Sequence, residues 1–170
     1  MTTSSEANTV ENTAKRRSLL SMLAWFALCF GAGALGSLFT ASAVPTWYAG
    51  LVKPAWNPPA WVFGPVWTLL YLMMAVAAWM IWRQAPSTSR SQALRWFMLQ
   101  LLLNAMWSPA FFGCHSPVAG LVIIMVLWLA IVMTVVLFWK ASRVAGVLLL
   151  PYLAWVSFAT ALNFAVWKLN

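Results

Sequence analysis

The chain has 170 residues, of which 64% are hydrophobic and only 7% are charged, against the roughly 25% that soluble domains carry. Its formal net charge is +8, but most basic residues are scattered between apolar stretches and do not form the stripe typical of nucleic-acid binding. The composition therefore excludes a soluble globular domain, argues against a nucleic-acid partner and predicts an integral membrane protein.

Five transmembrane helices are predicted from the positions of the charged residues, because an ionised side chain is costly in the bilayer core. A crossing helix needs about 20 residues. The uncharged stretch between Arg95 and Lys140 is more than twice that long, and turn-forming residues at 113–117 divide it into two helices. The predicted fold class is an all-α integral membrane bundle, with helices at residues 19–39, 61–82, 94–112, 117–139 and 144–167.

Two segments lie outside these helices. Residues 1–17 form a polar tail that we predict to be disordered, and residues 18–170 form a single membrane domain. Residues 40–60 form a loop that is long for a compact bundle, and such loops are often functional. Four prolines stiffen it: Pro45, Pro54, Pro58 and Pro59. We therefore expect an ordered loop over one end of the bundle.

The first apolar segment has an alternative interpretation as a signal peptide. Residues 15–17 are basic, and residues 41–43 resemble a small-residue cleavage site. However, the apolar run is longer than the about 7–15 residues of such signals. Gly31, Gly33 and Gly36 instead fit a helix that a neighbouring helix approaches closely.

The distribution of Lys and Arg predicts the orientation in the membrane. With the N-terminus inside, Lys53 and Lys168 are the only basic residues on the outer face. The inner face carries the other basic residues: Lys15, Arg16, Arg17, Arg83, Arg90, Arg95, Lys140 and Arg143. The positive-inside rule then places the C-terminus and the proline-rich loop outside. The short loops and the lack of a targeting extension favour a bacterial envelope membrane.

Polar and aromatic residues recur at helical spacing on three predicted helices. Spacings of three and four residues place each of these sets on one helix face: Gln100, Asn104 and Trp107; Trp67, Tyr71 and Met74; Tyr152, Trp155, Ala159 and Leu162. Lipid offers polar side chains no partner, so these faces mark the interior of the bundle. Two interpretations stay open. Polar residues such as Gln100, Asn104, Thr160 and Asn163 bond helix to helix, or the faces together line a pocket for a flat apolar ligand.

No acid–base catalytic group and no metal site are predicted. The acidic residues Glu6 and Glu11 both lie in the tail. Cys29, Cys114 and His115 lack metal-ligand spacing. His115 beside Cys114 would be one ligand without partners, which does not make a haem or metal site.

The order of residues from 47 onward resembles the translocator protein/tryptophan-rich sensory protein family (TspO/MBR, also the peripheral-type benzodiazepine receptor family). The matching segments are WYAGLVKPAWNPP at 47–59, VF at 62–63, VWTLLY at 66–71, NAMWSP at 104–109, FFG at 111–113, PYLAW at 151–155 and ATALN at 159–163. The resemblance runs from about residue 19 to the C-terminus.

The resemblance implies a five-helix bundle, often a homodimer, that binds porphyrins and other tetrapyrroles, and in animal members cholesterol and benzodiazepine-type drugs. By motif, the ligand-binding residues are Trp47, Tyr48, Pro58, Trp67, Tyr71, Asn104, Trp107, Trp155, Ala159 and Leu162. Trp47 and Trp155 match the pair implicated in light-dependent porphyrin breakdown by some members. The sterol-recognition pattern of the family has a tyrosine where this chain has Phe164, so sterol binding is not predicted.

The predicted function is a membrane-embedded, porphyrin-binding sensor or regulator that needs no obligatory cofactor. One alternative is a transporter of porphyrin or another lipophile. Proton coupling is not favoured, because the predicted spans contain no carboxylate. Another alternative is an enzyme that degrades porphyrin in light through Trp47 and Trp155. The sequence does not choose among binding, transport and degradation, and it does not identify the physiological ligand.

Overall fold

The computed structural model describes residues 3–170, and in this range the chain forms five α-helices and two π-helical segments. The helices are α1 (Thr3–Ala43), α2 (Ala60–Trp82), α3 (Thr88–Ser108), α4 (Pro117–Ala141) and α5 (Arg143–Leu169). The π-helical segments, π1 (Val44–Tyr48) and π2 (Pro109–Gly113), directly continue α1 and α3. The expected all-α membrane bundle is confirmed.

The first helix is longer at both ends than the predicted span of 19–39. It begins at Thr3, so the segment predicted as a disordered tail is helical from there, and residues 1 and 2 lie outside the described range. Residues 3–30 contain no glycine or proline that would end a helix. Lys15 pairs with Glu11 at the i,i+4 spacing that supports a helix.

The proline-rich loop is correspondingly shorter than the predicted 40–60. Helical conformation continues through π1 to Gly50, which leaves residues 51–59 as the loop. Pro45 lies at the junction of α1 and π1, where its missing N–H interrupts the i→i−4 hydrogen bonds of α1 and the helix changes to the wider π turn. The remaining three prolines of the predicted loop, Pro54, Pro58 and Pro59, lie within 51–59.

Each of the last three helices begins at a serine cap. The hydroxyls of Ser87, Ser116 and Ser142 accept hydrogen bonds from the first turns of α3, α4 and α5. Ser87 explains why α3 begins at Thr88 and not at residue 94 as predicted. The prediction began the helix next to Arg95, whereas the cap lies before Arg90.

Within residues 3–170, four segments have the length and hydropathy to cross a membrane: Glu11–Tyr48, Ala60–Trp82, Pro117–Ala141 and Arg143–Leu169. The remaining helix, α3, has 21 residues. It is therefore about 31 Å long, close to the thickness of the hydrocarbon core. Its polar residues Gln100 and Asn104 are buried in the bundle and do not face lipid. α3 packs against α1, α2 and α4.

The helices approach closely where small residues lie between them. A Cβ atom on Gly33 would lie 2.5 Å from the Tyr71 ring, and one on Gly36 would lie 3.1 Å from Ser108 Oγ. A Cβ on Gly31 would meet nothing within 4 Å. Two of the three glycines thus allow the approach of α1 to α2 and α3, as the glycine cluster predicted.

Candidate ligand cavity

A cavity of about 740 Å³ lies among the helices beneath the 51–59 loop. Ligand pockets in proteins are typically about 300–1,000 Å³, so its size suits a small organic molecule. Every helix contributes to the lining. Nine of the ten sequence-predicted site residues line it: Tyr48, Pro58, Trp67, Tyr71, Asn104, Trp107, Trp155, Ala159 and Leu162.

Trp47 does not line the cavity. Its ring stacks on His115, with ring centroids 4.8 Å apart and an angle of 18° between the rings. It also meets Phe111 edge-on at 5.5 Å. Adjacent residues of a helical segment point in different directions, so π1 directs Tyr48 toward the cavity and Trp47 toward the turn before α4. His115 has φ of 50°, an uncommon left-handed conformation in that turn.

Aromatic rings form the broad walls of the cavity. Trp67 stacks on Tyr71 with centroids 5.4 Å apart, and Trp107 stacks on Phe111 at 5.1 Å. Trp155 meets Phe63 edge-on at 5.8 Å. Phe63 and Phe111 were absent from the predicted site, although both lie in segments that carry the family resemblance. These rings give the cavity flat, apolar surfaces.

The 51–59 loop is fastened at the end of the cavity by hydrogen bonds. Tyr48 Oη donates to Asn57 Oδ1 (3.1 Å), and Asn57 Nδ2 donates to the Pro58 carbonyl (3.1 Å). Val52 and the side chain of Asn170 bond each other reciprocally, N–H to Oδ1 and Nδ2–H to carbonyl, both at 3.0 Å. The loop therefore closes this end as an ordered cover.

The cavity opens sideways between α1 and α2. All of its exposed lining residues lie on α1, π1 and α2: Phe30, Ala34, Ser37, Ala41, Pro45, Ala60, Gly64 and Thr68. The residues that α3, α4 and α5 contribute are buried or half-buried. Leu35, Leu38 and Leu69 flank this opening and are more than half exposed, as lipid-facing residues are. An apolar molecule can therefore reach the cavity from the bilayer.

The deep end of the cavity is polar. Tyr71 Oη donates to Asn104 Oδ1 (2.7 Å), and Asn104 Nδ2 donates to Tyr152 Oη (3.0 Å). Tyr152 Oη in turn donates to Gln100 Oε1 (2.9 Å). Tyr71 and Asn104 line the cavity, whereas Tyr152 and Gln100 lie behind its wall. Asn104 thus combines the two interpretations of the inward amides, since it joins α3 to α2 and α5 and also faces the cavity.

A second amide, Asn163 of α5, makes hydrogen bonds with two groups that cannot exchange donor and acceptor roles. Its Oδ1 accepts from Trp107 Nε1 (3.2 Å), and its Nδ2 donates to the Pro117 carbonyl (2.8 Å). The hydroxyl of Thr160 bonds the Val156 carbonyl within its own helix. Among the residues that line the cavity, none carries a charge. The arrangement suits a largely apolar, neutral ligand.

Comparison with known proteins agrees with the resemblance in the motifs. The sequence model of the TspO/MBR family matches residues 25–168. The chain is 44% identical over 155 residues to the tryptophan-rich protein TspO of Chlorobaculum tepidum, covering 91% of this chain and 98% of that protein. It is 45% identical over 154 residues to the TspO protein of Archaeoglobus fulgidus, covering 90% and 99%. It is 39% identical over 138 residues to the human translocator protein, covering 80% and 82%.

Proposed function

Because the chain belongs to the TspO/MBR family of membrane-embedded sensor and translocator proteins, we propose that it is a sensor or regulator whose ligand is a porphyrin or related tetrapyrrole. The observation that carries this proposal is the shape of the cavity, whose 740 Å³ lies between flat aromatic walls with a polar group at the deep end. A macrocycle gains about 25 cal/mol per Å² of buried apolar surface. Each offset aromatic contact adds about 0.5–1.5 kcal/mol.

The macrocycle enters between α1 and α2 and lies against Trp155 and Trp67, with a polar substituent toward Asn104. In this orientation the 51–59 loop covers the ring from the outer face of the membrane. The charge distribution supports an outward position of the loop, because Lys53 is the only basic residue in or beside it. The protein then responds to the concentration of porphyrin in the membrane itself.

A variant that fills the cavity tests the proposal. Ala159 lines the cavity, whereas Ala161 lies on the exposed face of the same helix. Protoporphyrin IX is titrated into each protein in nanodiscs, with tryptophan quenching and porphyrin absorption as readouts. Ala159→Phe should weaken binding at least about tenfold, since a benzyl group occupies ligand space. Ala161→Phe, which adds the same group toward lipid, should bind as the parent does.

The aromatic wall is tested by truncation. Trp155→Ala should weaken binding by about 1–3 kcal/mol, the scale of losing one stacking ring. Trp61→Ala is the matched control, because Trp61 is 74% exposed and lies outside the cavity. If Ala159→Phe and Trp155→Ala fold and still bind porphyrin as tightly as the parent, the ligand lies elsewhere.

Light-driven degradation of bound porphyrin is a second candidate, favoured by the position of Trp155 in the cavity wall. Trp47 stacks on His115 outside the lining. Loss of porphyrin absorption under illumination should therefore slow in Trp155→Phe and stay unchanged in Trp47→Phe. Equal rates in the parent and in both variants would remove the tryptophan-dependent reaction while leaving porphyrin binding intact.

A further inference from the structure

The hydrogen-bond chain at the deep end of the cavity has a single direction. Tyr71 gives its hydroxyl hydrogen to Asn104, Asn104 donates to Tyr152, and Tyr152 donates to Gln100. The hydroxyl hydrogen of Tyr71 is therefore used inside the protein. In this state Tyr71 offers the cavity only the lone pairs of its oxygen.

The far end of this chain leaves a donor group unpaired. Gln100 is 1% exposed, and its Nε2 has no hydrogen-bond partner among residues 3–170. Unpaired buried N–H groups are rare in proteins and destabilising, more so than a carbonyl oxygen with an unused lone pair. The bilayer offers no water to compensate.

The same side chains also accommodate the opposite direction of donation. Turning over the amides of Asn104 and Gln100 exchanges an oxygen for a nitrogen of nearly the same size, and the tyrosine hydroxyl hydrogens rotate to suit. Gln100 Nε2 then donates to Tyr152, and Tyr152 donates to Asn104 Oδ1. Asn104 Nδ2 donates to Tyr71 Oη. All three bonds are kept and no proton leaves its side chain, but Nε2 of Gln100 gains a partner and the Tyr71 hydrogen is released to the cavity.

We infer that the deep end of the cavity binds a neutral carbonyl oxygen of the ligand through the Tyr71 hydroxyl, which is freed for the ligand when the hydrogen-bond chain from Tyr71 to Gln100 reverses its direction. The inference rests on the proposed function, because it concerns the polar contact of the same ligand. A hydrogen-bond acceptor on the ligand is favoured over a donor, because only an acceptor uses the Tyr71 hydroxyl hydrogen that the reversed chain releases. The carbonyl is neutral, since no charged side chain among the lining residues would pair with a buried carboxylate.

Two porphyrins with the same macrocycle but different side groups test the contact. Protoporphyrin IX dimethyl ester carries neutral ester carbonyls, and octaethylporphyrin carries only alkyl groups. The unmodified protein in nanodiscs should bind the ester about three- to tenfold more tightly, the range expected for one net hydrogen bond. If neither porphyrin binds, the proposed function fails. If both bind equally well, the proposed function stands and the Tyr71 contact is overturned.

Variants of the chain then test the reversal at Gln100, which does not line the cavity. Tyr71→Phe should bring the ratio of the two dissociation constants close to one, because the hydroxyl that meets the ester is removed. Gln100→Met should keep the preference of the parent, since without the Gln100 oxygen only the reversed chain gives the Tyr152 hydroxyl hydrogen an acceptor, Asn104 Oδ1. The double variant should therefore match Tyr71→Phe. A ratio close to one in Gln100→Met would overturn the reversal, with affinity for octaethylporphyrin showing that the cavity is intact.

A measurement on the unmodified protein covers the case in which these variants do not fold. The ester carbonyl stretch of the bound porphyrin is recorded by infrared spectroscopy and compared with the same compound in lipid. A hydrogen bond to one carbonyl should split off a band at lower wavenumber. A spectrum identical to that in lipid would overturn the inference without any substitution.

Discussion

Asn104 and Asn163 are both buried amides that join helices, yet their partners differ in kind. Asn163 lies between an indole N–H and the backbone carbonyl of Pro117, and neither group can reverse its role. Asn104 lies between two tyrosine hydroxyls, each of which both donates and accepts. The first arrangement permits one orientation of the amide, whereas the second permits two.

This difference indicates that the two amides have separate roles, one in the stability of the bundle and the other in ligand binding. The Asn163 site fixes α5 against α3 and α4. The Asn104 site keeps the same number of interhelical bonds in either direction and can therefore adapt to a ligand. Substitutions at the two sites should affect different quantities, and the following predictions test that separation from the largest expected effect to the smallest.

Crowding the Asn163 site should lower the free energy of unfolding the most. A Cβ atom on Gly120 would lie 2.7 Å from Phe111 Cδ2 and 2.9 Å from Asn163 Oδ1. Gly120→Ala should therefore reduce stability by about 1–3 kcal/mol, the range for overpacking, when unfolding is followed by circular dichroism in a denaturing detergent titration. Gly31→Ala is the control, since a Cβ there meets nothing within 4 Å, and it should be neutral or slightly stabilising. Equal stability of the two variants would contradict the tight packing around Asn163.

Leucine substitutions compare the two amides directly. Asn163→Leu leaves the Pro117 carbonyl and the Trp107 N–H unpaired, which should reduce the free energy of unfolding by about 1–2 kcal/mol. Asn104→Leu leaves two hydroxyls that can rotate toward other acceptors, so its loss should be smaller, about 0.5–1 kcal/mol. The preference for the ester porphyrin should rise in Asn104→Leu, because Asn104 Oδ1 no longer competes for the Tyr71 hydroxyl hydrogen, and should stay as in the parent in Asn163→Leu. A larger loss of stability in Asn104→Leu together with a changed preference in Asn163→Leu would show that the fixed and adaptable roles are assigned to the wrong residues.

The smallest effect concerns an amide with fixed backbone partners that lies at the surface. Asn170 makes two bonds with Val52, as Asn163 does with its partners, but Asn170 is exposed. Water replaces the lost bonds in Asn170→Ala, so the free energy of unfolding should change by no more than about 0.5 kcal/mol. Hydrogen exchange at the Val52 amide should nevertheless become several-fold faster, because the loop loses its attachment. Unchanged exchange would show that the rest of the 51–59 loop holds Val52 in place.

The sequence by itself determined the class of the protein and the contents of its interior. The apolar stretches and their charged limits predicted five helices in a membrane, because lipid imposes one length and one polarity on every crossing segment. Helical spacing placed Gln100, Asn104 and Tyr152 in the interior, where each is buried. The motifs named nine residues that line the cavity. Such features are local or periodic along the chain, so they can be recognised without knowledge of how the helices pack.

Only the tertiary structure decided the C-terminal end of α1, the position of Trp47 and the bonding direction of Gln100. Residues 40–50 were predicted as loop, but their helical conformation is supported by packing of Ala43 and Tyr48 in one apolar cluster with Phe112, which is far away in sequence. Trp47 and Tyr48 are adjacent, and the register of π1 separates their directions. The hydrogen-bond partner of Gln100, Tyr152, lies on another helix, so the spacing within α3 gave the burial of Gln100 but not the direction in which it bonds. These properties depend on angles and distances between distant segments, which the order of residues does not specify.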